Sequence, residues 1–225
     1  MSAVSAEQPL LDTREMLVVH SLFRRELRLA GGLVRQVRAG DPGRAAVVAA
    51  HLELVETVLH HHHGSEDELL WPLLLERVAD ELAPVVQLME TQHERVDALL
   101  GRIGELRPEW AQDPTAARGE ELAGLYDGLY AGLAEHLDAE EARVLPLVAR
   151  SITAQEWLAL GEAGRNGIPR RHMALVFGML MHDGDPEVVR LMLAPAPLPV
   201  RVLVPRLGRR AYRRHAQRVH GTPTP

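Results

Sequence analysis

Apolar residues recur at helical spacing along most of the 225-residue chain, and the alternation typical of strands is rare. With only two Phe and three Tyr, the chain also lacks the aromatic-rich runs that favour sheets. Turn-forming residues at 40–43 and 107–114, and a weaker break around 78–80, divide the first two thirds of the sequence. We therefore predict an all-α fold, an up-down-up-down four-helix bundle with a short-helix C-terminal extension. The predicted helices span residues 13–39, 43–77, 82–106 and 117–150.

Two regions follow from this pattern: a bundle at residues 1–150, and a helical extension with an arginine-rich tail at residues 151–225. In the extension, Thr153 and Glu156 have the spacing of a capping box and predict a helix over residues 155–162. Six prolines between residues 169 and 205 are expected to cut the rest into short helical pieces. Within the bundle, Pro72 and Pro146 lie inside predicted helices and indicate kinks or local bulges.

Four histidines interrupt the apolar faces of the four predicted helices, one on each: His20, His62, His93 and His136. A single histidine on such a face is more often a hydrogen-bonded core residue than a metal ligand. These four, however, are equally far from the connecting turns, so in an up-down-up-down bundle they reach one level. The common level favours a metal site.

An internal repeat selects the same residues. HHHGSEDELLWPLL and EHLDAEEARVLPLV each contain a histidine, a glutamate four residues later, a second acid and a proline, all offset by 74 residues. This register selects His62 from the four consecutive histidines 60–63 and pairs it with Glu66, as His136 pairs with Glu140. Residues four apart share a helix face, so each pair can reach one metal centre. Two buried carboxylates would be costly without cations nearby.

The composition narrows the kind of metal site. The chain has no cysteine, which excludes thiolate zinc sites, iron–sulfur clusters and disulfides and leaves histidine and carboxylate ligands. Four imidazoles and two carboxylates suit a pair of first-row ions, each with two histidines, bridged by Glu66 and Glu140. A single zinc ion would leave two of the six groups unused. We expect two iron ions in an Fe–O–Fe type centre, with manganese as the alternative.

The order of a lone histidine and a His-xxx-Glu pair, occurring twice over residues 13–150, resembles the hemerythrin-like family, also called the HHE cation-binding domain. The segment ITAQEW at residues 152–157 resembles that of actinobacterial members with a C-terminal extension. The resemblance implies a four-helix bundle around a non-heme di-iron centre. The metal ligands that it implies are His20, His62, Glu66, His93, His136 and Glu140.

Two departures bear on the activity. Oxygen-carrying members have a second histidine one turn after the lone one on the third helix, where this chain has Asp97, and a His-xxxx-Asp pair on the fourth, where Glu140 and Glu141 stand. Both argue against reversible oxygen storage. We expect a protein that binds or turns over a small oxidant, namely peroxide, O2 or nitric oxide. A sensing or binding module without turnover, and a di-iron oxygenase or oxidase, are the alternatives, so whether the protein is an enzyme stays open.

Other residues near the predicted ligands have open roles. His61 and His63 flank His62 and are interpreted as partly exposed or supporting groups, although His63 is close enough to reach an ion. Asp67 and Asp97 are each interpreted as orienting a ligand imidazole or as simply facing water, and water is favoured for Asp67. Tyr126 and Tyr130 are interpreted as packing residues rather than donors to a bound oxidant, and His51, about 16 Å from His62 along the helix, is too far away to join the site.

Charge and targeting signals bear on location and partners. The net charge is −6, yet residues 188–225 contain eight arginines and no acid. An amphipathic pattern there, with Val200, Leu207 and Val219 on the apolar side, suits docking on the acidic bundle better than a membrane or nucleic acid. We therefore expect no nucleic acid and no membrane partner. The chain has no signal-peptide pattern and no apolar run near the ~20 residues that span a bilayer, so a cytoplasmic location is expected.

Overall fold

The computed structural model describes the backbone of residues 10–225 and the side chains of residues 10–78 and 85–225. Within these residues the chain is helical and contains no strand, as predicted. The elements in chain order are α1 (Arg14–Arg35), α2 (Pro42–Ser65), a π-helical turn (Glu66–Leu70), α3 (Trp71–Gln112), α4 (Ala116–Arg143), α5 (Leu145–Ser151), α6 (Ala154–Asn166), a 3₁₀ turn (Arg170–His172), α7 (Met173–Asp183), α8 (Pro186–Met192) and α9 (Leu198–His220).

The first four long helices form the predicted bundle. Around it, α1 packs on α4, α4 on α3, α3 on α2, and α2 on α1. Local capping sets where two of them begin. The side chain of Asp41 accepts a hydrogen bond from the backbone N–H of Arg44 at 2.9 Å, and Thr115 accepts one from Arg118 at 3.3 Å. These caps satisfy backbone donors at the starts of α2 and α4, the first within a predicted turn and the second immediately after one.

The boundaries of α3 confirm one predicted break and correct another. Val78 has non-helical angles, φ −138° and ψ 37°, at the break expected between the second and third bundle helices. The predicted end at residue 106 is wrong, since α3 continues through Pro108 to Gln112. Trp110 explains the extension, because its indole is buried to 1% exposure against Gly119 of α4. Burying so large an apolar surface outweighs the single hydrogen bond that a proline removes.

Both bundle prolines disturb their helices as predicted. Before Pro72 the chain forms the π-helical turn, in which the N–H of Trp71 donates to the carbonyl of Glu66, five residues back. In the second half, α4 ends at Arg143 and α5 starts at Leu145, with Pro146 in its first turn. The two repeats therefore adapt to equivalent prolines in different ways.

Two apolar clusters fill the bundle, and on every helix the predicted ligands lie near the boundary between them. One cluster includes Leu59 before His62 and Leu133 before His136. The other includes Leu70 and Leu74, which follow Glu66, and Val144, which follows Glu140. The candidate site is therefore a polar layer across an apolar core. Both clusters shield it from water.

The C-terminal extension contains the predicted capping box. Thr153 Oγ1 accepts from the N–H of Glu156 at 3.3 Å, and Glu156 Oε2 accepts from the N–H of Thr153 at 2.9 Å, at the start of α6. The expectation of short pieces throughout is wrong for α9, which runs for 23 residues and contains Pro205. That proline lies where Arg201, four residues earlier, is exposed, so water can satisfy the carbonyl that it leaves free.

Helix α9 docks on the bundle mainly through its C-terminal half. It packs on α7, where a Cβ on Gly178 would lie 2.2 Å from the carbonyl oxygen of Gly208, so this close approach requires glycine. Tyr212 and Val219 are buried, whereas Val200 and Leu207 are exposed, so the predicted docking face is wrong in its first half. Among residues 10–225, no helix is both long and apolar enough to cross a membrane.

Candidate metal centre

The six predicted ligands converge within the bundle and all are buried. His20 comes from α1, His62 from α2, Glu66 from the π-helical turn, His93 from α3, and His136 and Glu140 from α4. Together with His63 they fall into two groups, in each of which the ligand atoms lie within 4.8 Å of one another. One group contains His20, His62, Glu66 and Glu140, and the other contains His63, His93 and His136.

The carboxylates join these two groups. Glu66 places Oε1 3.3 Å from His62 Nε2 and Oε2 4.0 Å from His93 Nε2, so each oxygen faces a histidine of a different group. Glu140 Oε2 lies 3.3 Å from His20 Nε2 and 3.9 Å from His136 Nε2. Both glutamates therefore lie between the two sets of imidazoles, as carboxylates that bridge two ions do.

Hydrogen bonds outside this layer orient the histidine rings. His20 Nδ1 donates to Glu141 Oε1 at 2.8 Å, and His93 Nδ1 donates to Asp67 Oδ1 at 3.0 Å. In each case the acid follows the glutamate of the other repeat. Because Nδ1 carries the proton, the lone pair of Nε2 points into the site. For Asp67 the favoured interpretation, that it simply faces water, is wrong and the alternative is confirmed, since its carboxylate holds the ring of His93, a predicted ligand.

His136 is oriented in the same way by a residue that the sequence did not single out. Its Nδ1 lies 3.3 Å from Oε1 of Gln92, which is buried and immediately precedes His93 in α3. The amide oxygen accepts a proton from the imidazole and leaves Nε2 directed inward. Adjacency to a ligand histidine was the only sequence signal for Gln92.

Several buried polar atoms of the layer have no hydrogen-bond partner within the described residues. They are Nε2 of His20 and His62, both ring nitrogens of His63, and all four carboxylate oxygens of Glu66 and Glu140. Leaving one such group unsatisfied typically costs about 1–3 kcal/mol, and more for a charged group. A cluster of inward-facing lone pairs suits cations, so the donor set fits a metal centre.

The electrostatics of the two glutamates differ. Burial raises the pKa of Glu66 well above 4.5, and the charge of Glu140 raises it further. Burial opposes ionisation of Glu140 as well, but the neighbouring His20 and His62 hold its pKa below the ordinary value. Burial also lowers the pKa of His62 to about 3 and that of His136 to about 4, which keeps both imidazoles neutral and able to bind a metal.

His63 is placed in the centre more directly than its sequence interpretation allowed. It is buried, its ring stacks on that of His93 at 4.3 Å between centroids, and it meets His136 edge-on at 5.1 Å. The inward face of α2 is wide enough to hold two consecutive histidines. His61 lies instead against the C-terminal end of α6, where a Cβ on the capping residue Gly167 would lie 2.1 Å from its ring, and His60 is exposed.

The remaining candidates lie outside the centre. Asp97 is exposed, so it does not stand in for the histidine that oxygen carriers have at this position. The hydroxyl of Tyr126 donates to Glu56, and burial together with that carboxylate raises the pKa of the tyrosine. Tyr130 packs against the apolar core. Both tyrosines act as packing residues.

Comparison with known proteins points to the same region. The family model of the hemerythrin HHE cation binding domain matches residues 12–148, more than half of the chain. A curated relative, the iron-sulfur cluster repair protein YtfE of Cronobacter sakazakii (strain ATCC BAA-894), is 27% identical over 124 residues, which cover 54% of this chain and 55% of the relative. The chain thus spans about half the length of that relative. No solved structure matches the chain significantly.

Proposed function

Because the chain belongs to the hemerythrin HHE cation-binding family, we propose that it is a non-heme di-iron protein that binds or turns over a small oxidant. Peroxide is the leading candidate, and O2 and nitric oxide are the alternatives. Manganese is the alternative metal. A soft thiolate site is excluded because the chain has no cysteine, while imidazole and carboxylate donors suit iron and manganese.

We assign one metal position to His20 and His62, and the other to His63, His93 and His136. This division follows the two groups whose ligand atoms lie within 4.8 Å of one another. The first position has two imidazoles and the second has three. The assignment adds His63 to the ligands expected from the sequence.

Glu66 and Glu140 are assigned as the bridging carboxylates. The observation that carries the proposal is the position of Glu66, whose two oxygens face His62 and His93 in different groups without a hydrogen bond to either. A glutamate that only stabilised the fold would have its oxygens satisfied by donors. A bridging ligand needs them free.

The side chains of the protein orient the ligand histidines and exclude water from the centre. Iron ions, when bound, would carry electrons from a peroxide that is oxidised to O2 to a peroxide that is reduced to water, a redox change that these side chains cannot undergo. Glu141 and Asp67 accept the Nδ1 protons of His20 and His93 and so keep the inward nitrogens free to bind. The apolar clusters on both sides of the layer keep bulk water away from the reacting ligand.

Oxygen evolution from peroxide by the iron-loaded chain tests the proposal. We expect many turnovers per centre, severe loss in Glu66→Gln, which keeps the shape of the side chain but removes its charge, and full activity in His60→Ala, whose histidine is exposed. A spectral change that is stoichiometric with the iron, without turnover, would instead indicate a sensing or binding module. An iron-loaded protein that does not respond to peroxide, O2 or nitric oxide would overturn the proposal.

A further inference from the structure

A second group of potential ligands lies away from the bundle centre, where the last helix meets the bundle. Glu26 of α1, His51 of α2 and His220 of α9 bring one carboxylate and two imidazoles within 4.8 Å of one another. The side chains of Glu26 and His51 are fully buried, and that of His220 is 4% exposed. Since His51 is eleven residues before His62 in α2, this group lies about 16 Å from the centre along the helix axis.

The three facing atoms have the spacing of metal ligands rather than of hydrogen-bonded partners. Glu26 Oε2 is 3.3 Å from His51 Nε2 and 3.4 Å from His220 Nε2, and none of the three atoms has a hydrogen-bond partner among the described residues. Ligand atoms about 2.0–2.1 Å from a tetrahedral zinc ion lie about 3.3–3.4 Å from one another. The same 3.3 Å separation joins His20 to Glu140 in the bundle centre.

The surrounding side chains orient this group as they would a metal site. His51 Nδ1 lies 3.0 Å from Nε2 of His215, so a proton on Nδ1 is donated outward and the lone pair of Nε2 faces Glu26. The arrangement repeats the way in which Glu141 orients His20.

The other oxygen of Glu26 is already satisfied. Its Oε1 accepts from Tyr212 at 3.1 Å and from Arg25 at 2.8 Å, so only Oε2 is left for the two histidines. The positive charge of Arg25 is also matched by Asp183, at 2.5 Å. A cation at Oε2 would therefore not be left beside an uncompensated guanidinium.

We propose that Glu26, His51 and His220 form a second, zinc-type metal site that fastens the C-terminal helix to the bundle. Two imidazoles and one carboxylate suit zinc, with water as the fourth ligand. A structural role follows from its position, because the three residues join α1, α2 and α9. The site is separate from the proposed oxidant centre and does not depend on it.

The end of α9 is positioned for this role. Gly221, with φ 77°, ends the helix immediately after His220 in a left-handed conformation that suits glycine. Arg44 of α2 donates to the carbonyl of Arg218 at 2.7 Å and also to that of Val219. The last turn is thus already held against α2, and a shared ion would link it to α1 as well.

Zinc titration of the full chain, with iron already bound at the bundle centre, tests the site. We expect the chain to take up one additional zinc ion without losing iron, and to unfold at a higher temperature when zinc is bound. Both effects should be lost in His220→Ala and retained in His60→Ala. Because His220 is the last residue of α9, its removal should leave the helical circular dichroism unchanged.

A third variant separates a ligand from its support. His215→Ala removes the acceptor of the His51 proton and should weaken zinc binding by roughly tenfold to a hundredfold without abolishing it. Cobalt taken up in place of zinc should give the intense visible bands of a tetrahedral ion. No zinc uptake by the unaltered chain, or equal uptake by His220→Ala, would overturn the proposal and show that Glu26 and the histidines form only a buried hydrogen-bonding group.

Discussion

The first helical hairpin, α1 with α2, and the second, α3 with α4, supply equivalent histidines and glutamates but differ next to one of them. The residue after His62 is His63, whereas the residue after His136 is Leu137. Both are buried. The replacement of a leucine by an imidazole at one of two equivalent positions makes a pseudosymmetric scaffold asymmetric. We infer a metal position with three histidines beside one with two.

The same hairpins also differ in charge. Glu66 lies in the π-helical turn with a raised pKa, while Glu140 lies in regular helix with a lowered pKa, beside His20. One feature outside the ligand layer is shared, because Asp67 and Glu141 each hold the lone histidine of the other hairpin. Another is not, because Gln92, which supports His136, has Val19 as its equivalent in the first hairpin.

The largest effect should come from removing His62, which belongs both to the ligand set expected from the sequence and to the set that also includes His63. His62→Ala should abolish most metal binding because it removes an inward imidazole and the neighbour of Glu66 Oε1. The matched variant His60→Ala, at an exposed residue of the same run, should retain full occupancy. Metal analysis after dialysis measures both, and equal losses would show that the repeat register selects the wrong histidine.

His63→Leu would make the first hairpin match the second. We expect the affinity of one metal position to fall while the other is retained, because His63 belongs only to the group with His93 and His136. Stepwise metal titration followed by absorption would show this. The control is His61→Leu, whose ring packs on α6. Two unchanged binding steps in His63→Leu would mean that His63 only packs against the ligands.

The outer carboxylates test the symmetric part of the comparison. Asp67→Asn and Glu141→Gln should each weaken metal binding by roughly tenfold to a hundredfold, the usual effect of losing an acceptor behind a ligand histidine. Asp97→Asn, at an exposed residue of α3, should change nothing. Competition with a chelator measures the affinities. Unequal effects of the first two variants would extend the asymmetry to these two carboxylates.

In the metal-free protein, replacing Glu66 and replacing Glu140 should change the free energy of unfolding in opposite directions. A carboxyl whose pKa is higher in the folded than in the unfolded chain destabilises the fold as the pH rises above its unfolded pKa. Glu66→Gln should therefore stabilise the metal-free chain near neutral pH. A carboxyl whose pKa is lower in the folded chain stabilises the fold at pH values above its unfolded pKa. Glu140→Gln should therefore destabilise the metal-free chain. We expect changes of about 1–3 kcal/mol.

The stability changes caused by Glu66→Gln and Glu140→Gln should both shrink as the pH falls below 4.5, the ordinary pKa of a glutamate, because the unfolded chains then become protonated. Denaturant unfolding at pH 7 and pH 4 measures them. Shifts of the same sign at pH 7 would contradict the electrostatic difference between the hairpins.

The sequence predicted well which side chains meet inside the bundle, because those residues repeat. Helical spacing places His62 and Glu66 on one face, and the 74-residue offset identifies His136 and Glu140 as their equivalents. Periodicity alone did not place His63 inward, because a neighbouring residue is rotated by about 100° and faces the site only if the buried sector is wide. The long α3 and the phase of α9 likewise depend on tertiary packing.

The second group of potential ligands, at the junction of α9 with the bundle, had no such signal in the sequence. Glu26, His51 and His220 come from distant parts of the chain, share no repeat, and meet only because α9 folds back onto the bundle. No local pattern relates a histidine at residue 220 to a glutamate at residue 26. A group of this kind can be identified only from the folded structure.

Metal content tests the central claim most directly. The full chain, purified from iron-replete cells without added metal, should contain about two iron or manganese ions whatever its zinc content, as two sets of imidazoles joined by two carboxylates require. If the iron is ferric, ligand-to-metal charge-transfer bands should accompany it. Zinc as the only metal, with neither iron nor manganese at stoichiometric levels, would contradict a di-iron centre.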